Sequence, residues 1–363
     1  MPGTMTFVGL DVHARSIHAA AIDVMSGELT RWRFTGGELE TPVAWLGSLS
    51  GPVYACYEAG PTGFGLYRAA SEAGIRIEVI APGKTPRGPS DRVKTDRKDA
   101  ELLARNLMAG GLTAITVPSV RVEAARGLCR AHDMCRRDLM NARHRVSKML
   151  LMHGQVYPKP GSTWTKTHRQ WLGAQQFVDP ISALTYVDLL AAVDGLTSRK
   201  QALADRISLL ATDPEWWPTV ARLRCFRGID TLTALSVHLE LSADWERFEK
   251  AHRVGAWLGL TPSRQQSGES DRQGSITKTG STLARRLLVE AAWHYAREPT
   301  VGVTLAERQK GQPDHVLGIA NRGQHRVHRT YTRMRSRGKP HNVTVVACAR
   351  ELACFMWAAA TAP

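Results

Sequence analysis

The chain has 363 residues, with 48 Lys and Arg against 33 Asp and Glu, a net charge of +15. That length predicts two or three domains, each able to build its own core; 43% apolar and 22% charged residues exclude wholesale disorder. No uninterrupted apolar run reaches the ~18 residues of a membrane span, and Arg350 and Glu351 break the most apolar stretch.

The opening Met-Pro-Gly-Thr-Met lacks the basic and apolar regions of a signal peptide, so a cytoplasmic location and no membrane partner are expected. Basic residues recur along most of the chain, which points to an extended nucleic-acid path; a merely soluble basic protein is the bland alternative. The six cysteines form no CxxC pair, which argues against a zinc ribbon and for small core residues in a reducing compartment.

Residues 6–12, 18–24 and 29–34 read as three strands, followed by a helix over 41–49 with Pro42 at its start. Strands at 53–58 and 75–80 then flank a helix over 64–73 that ends at Gly74. A meander followed by alternating helix and strand predicts a mixed α/β sheet. A helix spans 96–108. Residues 119–152, apolar every three to four positions from Val122 to Leu150, predict one long helix. Residues 157–180 read as a loop or loosely helical segment, and 183–211 as a helix that pairs with the first as an antiparallel hairpin or coiled-coil arm. The remainder is mostly helical. In it, 223–239 reads as helix, Gly228 turn, helix: either a helix-hairpin-helix offering amides to DNA phosphates or an ordinary αα-hairpin. The expected domains are 1–118, 119–212 and 213–363.

Four carboxylates carry the chemistry of the first half. Asp11 ends the first strand and Glu58 the fourth, and such strand ends converge at the edge of an open sheet. Asp96 and Asp99, in Lys94-Thr-Asp-Arg-Lys-Asp-Ala100, share a helix face at i, i+3. Four such oxygen ligands suit a pair of Mg²⁺ ions about 3.5–4 Å apart, with Mn²⁺ as the alternative ion. Lys94, Arg97 and Lys98 interleave with them, as a site for both metal and phosphate needs. The structural alternatives are a turn role for Asp11, a helix cap at Asp96, and Asp23 in place of any member. The spacing of Gly60, Gly63 and Gly65 does not match a nucleotide-binding loop, and these read as turn glycines.

In the second half, 260–280 is polar and punctuated by glycine, a hydrophilic loop between apolar helices. Its hydroxyls, with Arg264, Lys278, Arg285 and Arg286 nearby, suit a phosphate. The tail from Asn321 to Lys339 holds seven cations and no acid, among them Arg326, Arg329 and Arg333, and reads as a nucleic-acid backbone contact or a solvated helix. Trp164, Trp171, Trp216 and Trp217 fit packing better than base stacking.

Val8-Gly-Leu-Asp-Val-His-Ala14, Tyr57-Glu-Ala-Gly60, Lys94–Ala100, Ser267-Gly268, Gly274-Ser-Ile-Thr-Lys-Thr-Gly280 and Val345–Ala353 together resemble the DEDD-type transposases of insertion sequences, the serine-containing, bridge-RNA-guided recombinases. The resemblance covers nearly the whole chain. It implies an N-terminal RuvC-like (RNase H-like) domain in which Asp11, Glu58, Asp96 and Asp99 bind Mg²⁺, and a C-terminal transposase domain with Ser267 as nucleophile. The serine would form a transient covalent link to DNA. The resemblance also implies donor and target DNA as substrates, a structured noncoding guide RNA, and dimers that assemble into a tetramer through the helical arm. Members of the family often carry an aromatic and a second small residue before the glycine, where this chain has Gln265-Gln266-Ser267-Gly268, which leaves Ser263 and Ser270 as alternatives to Ser267. Two other functions remain open: a metal-only nuclease or junction resolvase using water, and a noncatalytic nucleic-acid-binding protein.

Overall fold

The computed structural model describes residues 5–82, 85–86, 95–159, 161, 163–268 and 270–363. The chain divides into two compact units, Met1–Pro118 and Ser119–Pro363.

The first unit runs β1 (Thr6–Val12), β2 (Ser16–Asp23), β3 (Leu29–Thr35), α1 (Glu40–Ser48), β4 (Val53–Glu58), α2 (Gly65–Glu72), β5 (Arg76–Ile80) and α3 (Asp96–Met108). The five strands form one sheet in the order β3-β2-β1-β4-β5. β2 is antiparallel to β1 and β3, while β1, β4 and β5 are parallel. This is the expected mixed α/β sheet, consistent with an RNase H-like arrangement.

Strand alternation sorts the side chains by face. Val8 and Leu10 of β1 and Ala55 and Tyr57 of β4 pack into one core with Leu46, Leu66 and Ala70 of α1 and α2. The intervening residues face α3: Cys56 packs with Leu103 and Leu107, alongside Phe7 and Tyr54. Gly9 lies on this second face, where a Cβ would stand 2.1 Å from the Ala100 carbonyl oxygen, so only glycine lets α3 approach so closely.

The second unit begins with α4 (Val120–Met152), α5 (Lys166–Gly173) and α6 (Pro180–Leu210). One stripe of α4 is buried at spacings of three and four, from Val122 through Cys129, Cys135, Leu139 and Val146 to Leu150. The far end of the α4–α6 hairpin has its own small core, in which Leu139, Val146 and Leu150 meet Leu172, Tyr186 and Val193. The stretch read as a loop or loosely helical segment contains α5, capped by the Thr165 hydroxyl. The near ends, Val122 to Cys129 and Ile207 to Ala211, belong to the large core of the C-terminal helices.

Those helices are α7 (Trp217–Leu223), α8 (Thr231–Glu240), α9 (Ala251–Trp257), α10 (Thr282–Ala292), α11 (Val303–Gln309), α12 (Asp314–Ser336) and α13 (His341–Ala360), with a 3₁₀ turn at Trp293–Ala296. Gly228 turns between α7 and α8 at φ +79°, and a Cβ there would lie 2.7 Å from the Ala291 carbonyl oxygen; the turn is packed against α10. Five of the six cysteines are buried and all are free.

Two features depart from the sequence reading. Residues 260–280 are not simply a loop: β6 (Pro262–Ser267) and β7 (Ser270–Ile276) pair as an antiparallel hairpin. Both strands are exposed on both faces, so no apolar alternation announces them; the backbone ladder and the doubly bonded Arg264–Asp271 pair hold them. Second, α6 and α13 each have the length and composition to cross a membrane, although no uninterrupted apolar run does so. α13 buries Val345, Cys348, Leu352 and Met356 in the core of its unit.

Candidate metal and nucleic-acid site

Asp11 faces α3 by strand alternation, because its neighbour Leu10 faces the opposite core. Glu58 occupies the matching place on β4: Leu10 pairs with Tyr57, and the two acids follow as the next residues. α3 is capped by Thr95, whose hydroxyl accepts from the Lys98 amide. Because Thr95 rather than Asp96 is the cap, the carboxylates of Asp96 and Asp99 in the first turn are not used as the capping group. Asp23 pairs with Thr6 at the other end of β1, and its carboxylate accepts from the amides of Met25 and Ser26. It is a turn residue, removed from Asp11 by the length of the strand.

Asp11, His13 and Asp96 form a group whose ligand atoms lie within 4.8 Å of one another. His13 Nε2 is 3.2 Å from Asp11 Oδ2 and 3.7 Å from Asp96 Oδ1. His18, the cross-strand partner of Asp11, brings its Nε2 to 3.7 Å from Asp96 Oδ2. Glu58 and Asp99 fall outside this group. The Thr85 hydroxyl donates to Glu58 Oε1, and Asp99 is half-buried one turn from Asp96.

Burial raises the pKa of Asp11 above its ordinary value; His13 opposes the shift, and the charges of Asp96 and Asp99 add to it. Carboxylates that repel one another in a partly desolvated place are what a bound cation relieves. Two carboxylates and an imidazole make a fitting donor set for a divalent ion, and the imidazole widens the choice from Mg²⁺ toward Mn²⁺. The sequence reading did not assign His13 or His18 a role. The signal was present in part: His13 stands two residues after Asp11, just past the end of β1.

The predicted phosphate ligands are placed as follows. Arg97 is exposed on α3, as is Lys98; Lys94 lies outside the described residues. Arg264 is bound to Asp271. Arg285 donates to the carbonyls of Leu258 and Thr279, and Arg286 to Asp133 and Glu290, so both hold structure together. Lys278 sits at φ +55°, and Arg326 lies 3.5 Å from Glu351. Arg329 and Arg333 are exposed on α12 without an ion-pair partner among the described residues. Ser267 and Ser270 face each other across the tip of the β6–β7 hairpin, next to Gly268 at φ +56°. Ser263 lies at the other end, its hydroxyl donating to the Ser275 carbonyl.

Comparison with known proteins gives the family. A profile described as "Transposase IS116/IS110/IS902 family" matches residues 220–304, and one for DEDD transposases of the IS110 type matches residues 8–154. A provisionally named transposase of Sinorhizobium fredii, y4qE, is 36% identical over 98% of this chain and 88% of its own length. The chain belongs to the IS110-type DEDD transposases. The transposase of insertion sequence IS1533 from Leptospira borgpetersenii is 30% identical over 92% of this chain and 97% of its own. The protein is thus a DNA transposase, and the DEDD profile spans all four predicted acids and the whole of α4. Transposases of this type use divalent metal, and the acidic group at the end of β1 is where the IS110-type chain offers ligands for it.

Proposed function

We propose that this IS110-type transposase cuts and rejoins the DNA phosphodiesters of an insertion sequence at a RuvC-like site where Asp11, Glu58, Asp96 and Asp99, helped by His13, hold Mg²⁺ or Mn²⁺. The observation that carries the reading is the gathering of Asp11, His13 and Asp96 within one ligand sphere at the carboxyl end of β1. A bound divalent ion supplies positive charge for the oxygens of the phosphate under attack. The chain's own residues orient the reacting groups: the Thr85 hydroxyl fixes Glu58, and His13 fixes Asp11.

Ser267 is the proposed nucleophile. Its Oγ–phosphorus bond forms as one phosphodiester P–O bond breaks, the serine proton leaves to solvent, and the departing DNA oxygen takes up a proton. A second transfer to another DNA end releases the serine. The hairpin tip suits this role, because Gly268 adds no side chain beside Ser267. Donor and target DNA are the substrates, a structured noncoding RNA guides them, and dimers assemble into a tetramer. The α4–α6 hairpin is the coiled-coil arm of a three-domain layout, 1–118, 119–212 and 213–363.

The test supplies the full chain with the flanking element DNA, RNA transcribed from it and Mg²⁺, and looks for protein covalently joined to DNA. The expected result is an adduct that Ser267→Ala and Asp11→Ala both abolish. One observation favours a second reading, a metal-only nuclease: among the described residues no hydrogen-bonding partner touches the Ser267 hydroxyl. Cleavage without an adduct that survives Ser267→Ala but not Asp11→Ala would establish that reading instead.

A further inference from the structure

Beside the acidic group lies a groove of about 570 Å³, lined by His18, Ala19, Arg31, Trp32, Arg33 and Arg97. It runs between the β2–β3 edge of the sheet and the start of α3. Asp11 pairs with His18, and His18 pairs with Arg33, so these three form one cross-strand row on the α3 face. With strands about 4.8 Å apart, Arg33 starts roughly 10 Å from Asp11, and Arg33 of β3 and Arg97 of α3 both line the groove. Arg31 is already taken by Glu101, at 2.8 Å. Arg33 and Arg97 have no carboxylate or hydrogen-bond partner among the described residues.

Edge strands carry charge to discourage pairing with another sheet. That purpose accounts for cations on β3 but not for Arg97, which stands on α3 and faces the same groove. Two guanidinium groups with no partner among the described residues, beside a cluster of carboxylates, make an electrostatic arrangement with one natural complement. A phosphodiester chain presents one phosphate to the cation-seeking acids through a metal and the next to the arginine forks.

We infer that this groove is a DNA-backbone site: Arg33 and Arg97 bind a phosphate flanking the one at the Asp11 group, and so set the direction in which the strand leaves across the β2–β3 edge. The inference rests on the metal-site reading above and adds to it a surface and a residue, Arg33, that none of the sequence motifs contains. The two arginines are positioning residues.

The test measures binding of a fluorescent single-stranded DNA to the full chain in EDTA, across a salt series, so that neither metal nor turnover enters. Arg33→Gln and Arg97→Gln are each expected to weaken binding about tenfold and to reduce the salt slope by about 0.7 per lost phosphate contact. Arg76→Gln, which removes the same charge at the opposite edge of the sheet, controls for net charge. Because the chain is basic throughout, the site is also located directly: DNA should protect Arg33 and Arg97, but not Arg76, from an arginine-specific reagent read by mass spectrometry. Equal modification of Arg33 and Arg97 with and without DNA overturns the inference, as does protection by an RNA of the same sequence but not by DNA. Failure of the metal reading has a different signature, which is cleavage or Mn²⁺ binding that persists in Asp11→Asn while the protection pattern is intact.

Discussion

A Cβ added to Gly9 would stand 2.1 Å from the carbonyl oxygen of Ala100 and 2.5 Å from the amide of Ala104. The strand that carries Asp11 near its end and the helix that begins with Asp96 are therefore in backbone contact, and this contact sets how the two acids meet. Gly9→Ala must push α3 outward. The expected loss of stability is about 1–3 kcal/mol, read by thermal unfolding of the first unit, together with weaker Mn²⁺ binding. Unchanged Mn²⁺ affinity in a folded variant would show that the acids do not depend on this contact.

His13→Ala removes the imidazole between Asp11 and Asp96. Whether the ring ligates the ion or orients Asp11, Mn²⁺ affinity should fall on the order of tenfold. Titration calorimetry measures this without DNA. Asp11→Asn should lose most binding, and Asp23→Asn, at the far end of the strand, almost none.

Much of this site was legible in the sequence because strand and helix periods are short-range. Asp11 and Asp96, which the structure brings together, follow from a strand end and a helix start; Glu58 and Asp99 were read from the same pattern and fall outside that group. His13 lies just past the end of β1, two residues from Asp11, and the pairing of consecutive strands reaches His18. The hairpin at Pro262–Ile276 was not legible, because its residues are polar on both faces and its order comes from the ladder and from Arg264 meeting Asp271. Nor was the fate of Arg286, whose partner Asp133 is 153 residues away. A local reading sees a cation and cannot see that it is already taken.

Stability in acid should depend on His238. The ring is buried, its Nδ1 accepts a hydrogen bond from the Trp245 indole N–H at 2.9 Å, and burial lowers its pKa to about 4. Above pH 6.5 the ring is neutral in both the folded and unfolded chain and contributes no pH dependence. Between 6.5 and 4 only the unfolded chain takes up the proton, so stability falls with pH by up to roughly 3 kcal/mol. Urea midpoints at pH 7 and pH 4.5 should differ less in His238→Gln than in the parent chain. An equal difference would sink the assignment.

Arg130 on α4 makes two hydrogen bonds to Glu240, a residue of α8 whose side chain is 1% exposed. Arg130→Met strands that carboxylate. A fully buried pair broken this way costs 3–5 kcal/mol, and because Arg130 is itself 54% exposed the expected cost is nearer ~2 kcal/mol. Guanidinium unfolding measures it. Restoration by the second change Glu240→Leu would assign the loss to the stranded charge.

The unbroken course of α4 has a mechanical consequence. At 33 residues and 1.5 Å each it is a rod about 50 Å long. Val122 to Cys129 are clamped in the C-terminal core, while Leu139 to Leu150 belong to a separate small core. From Cys129 to Leu150 is about 30 Å, so a tilt of about 5° at the clamp sweeps the far end through nearly ~3 Å. Whatever grips the distal end therefore reports on the packing around α8 and α10 by displacement, and the root of the arm acts as a fulcrum whose stiffness Arg130 and Glu240 help to set.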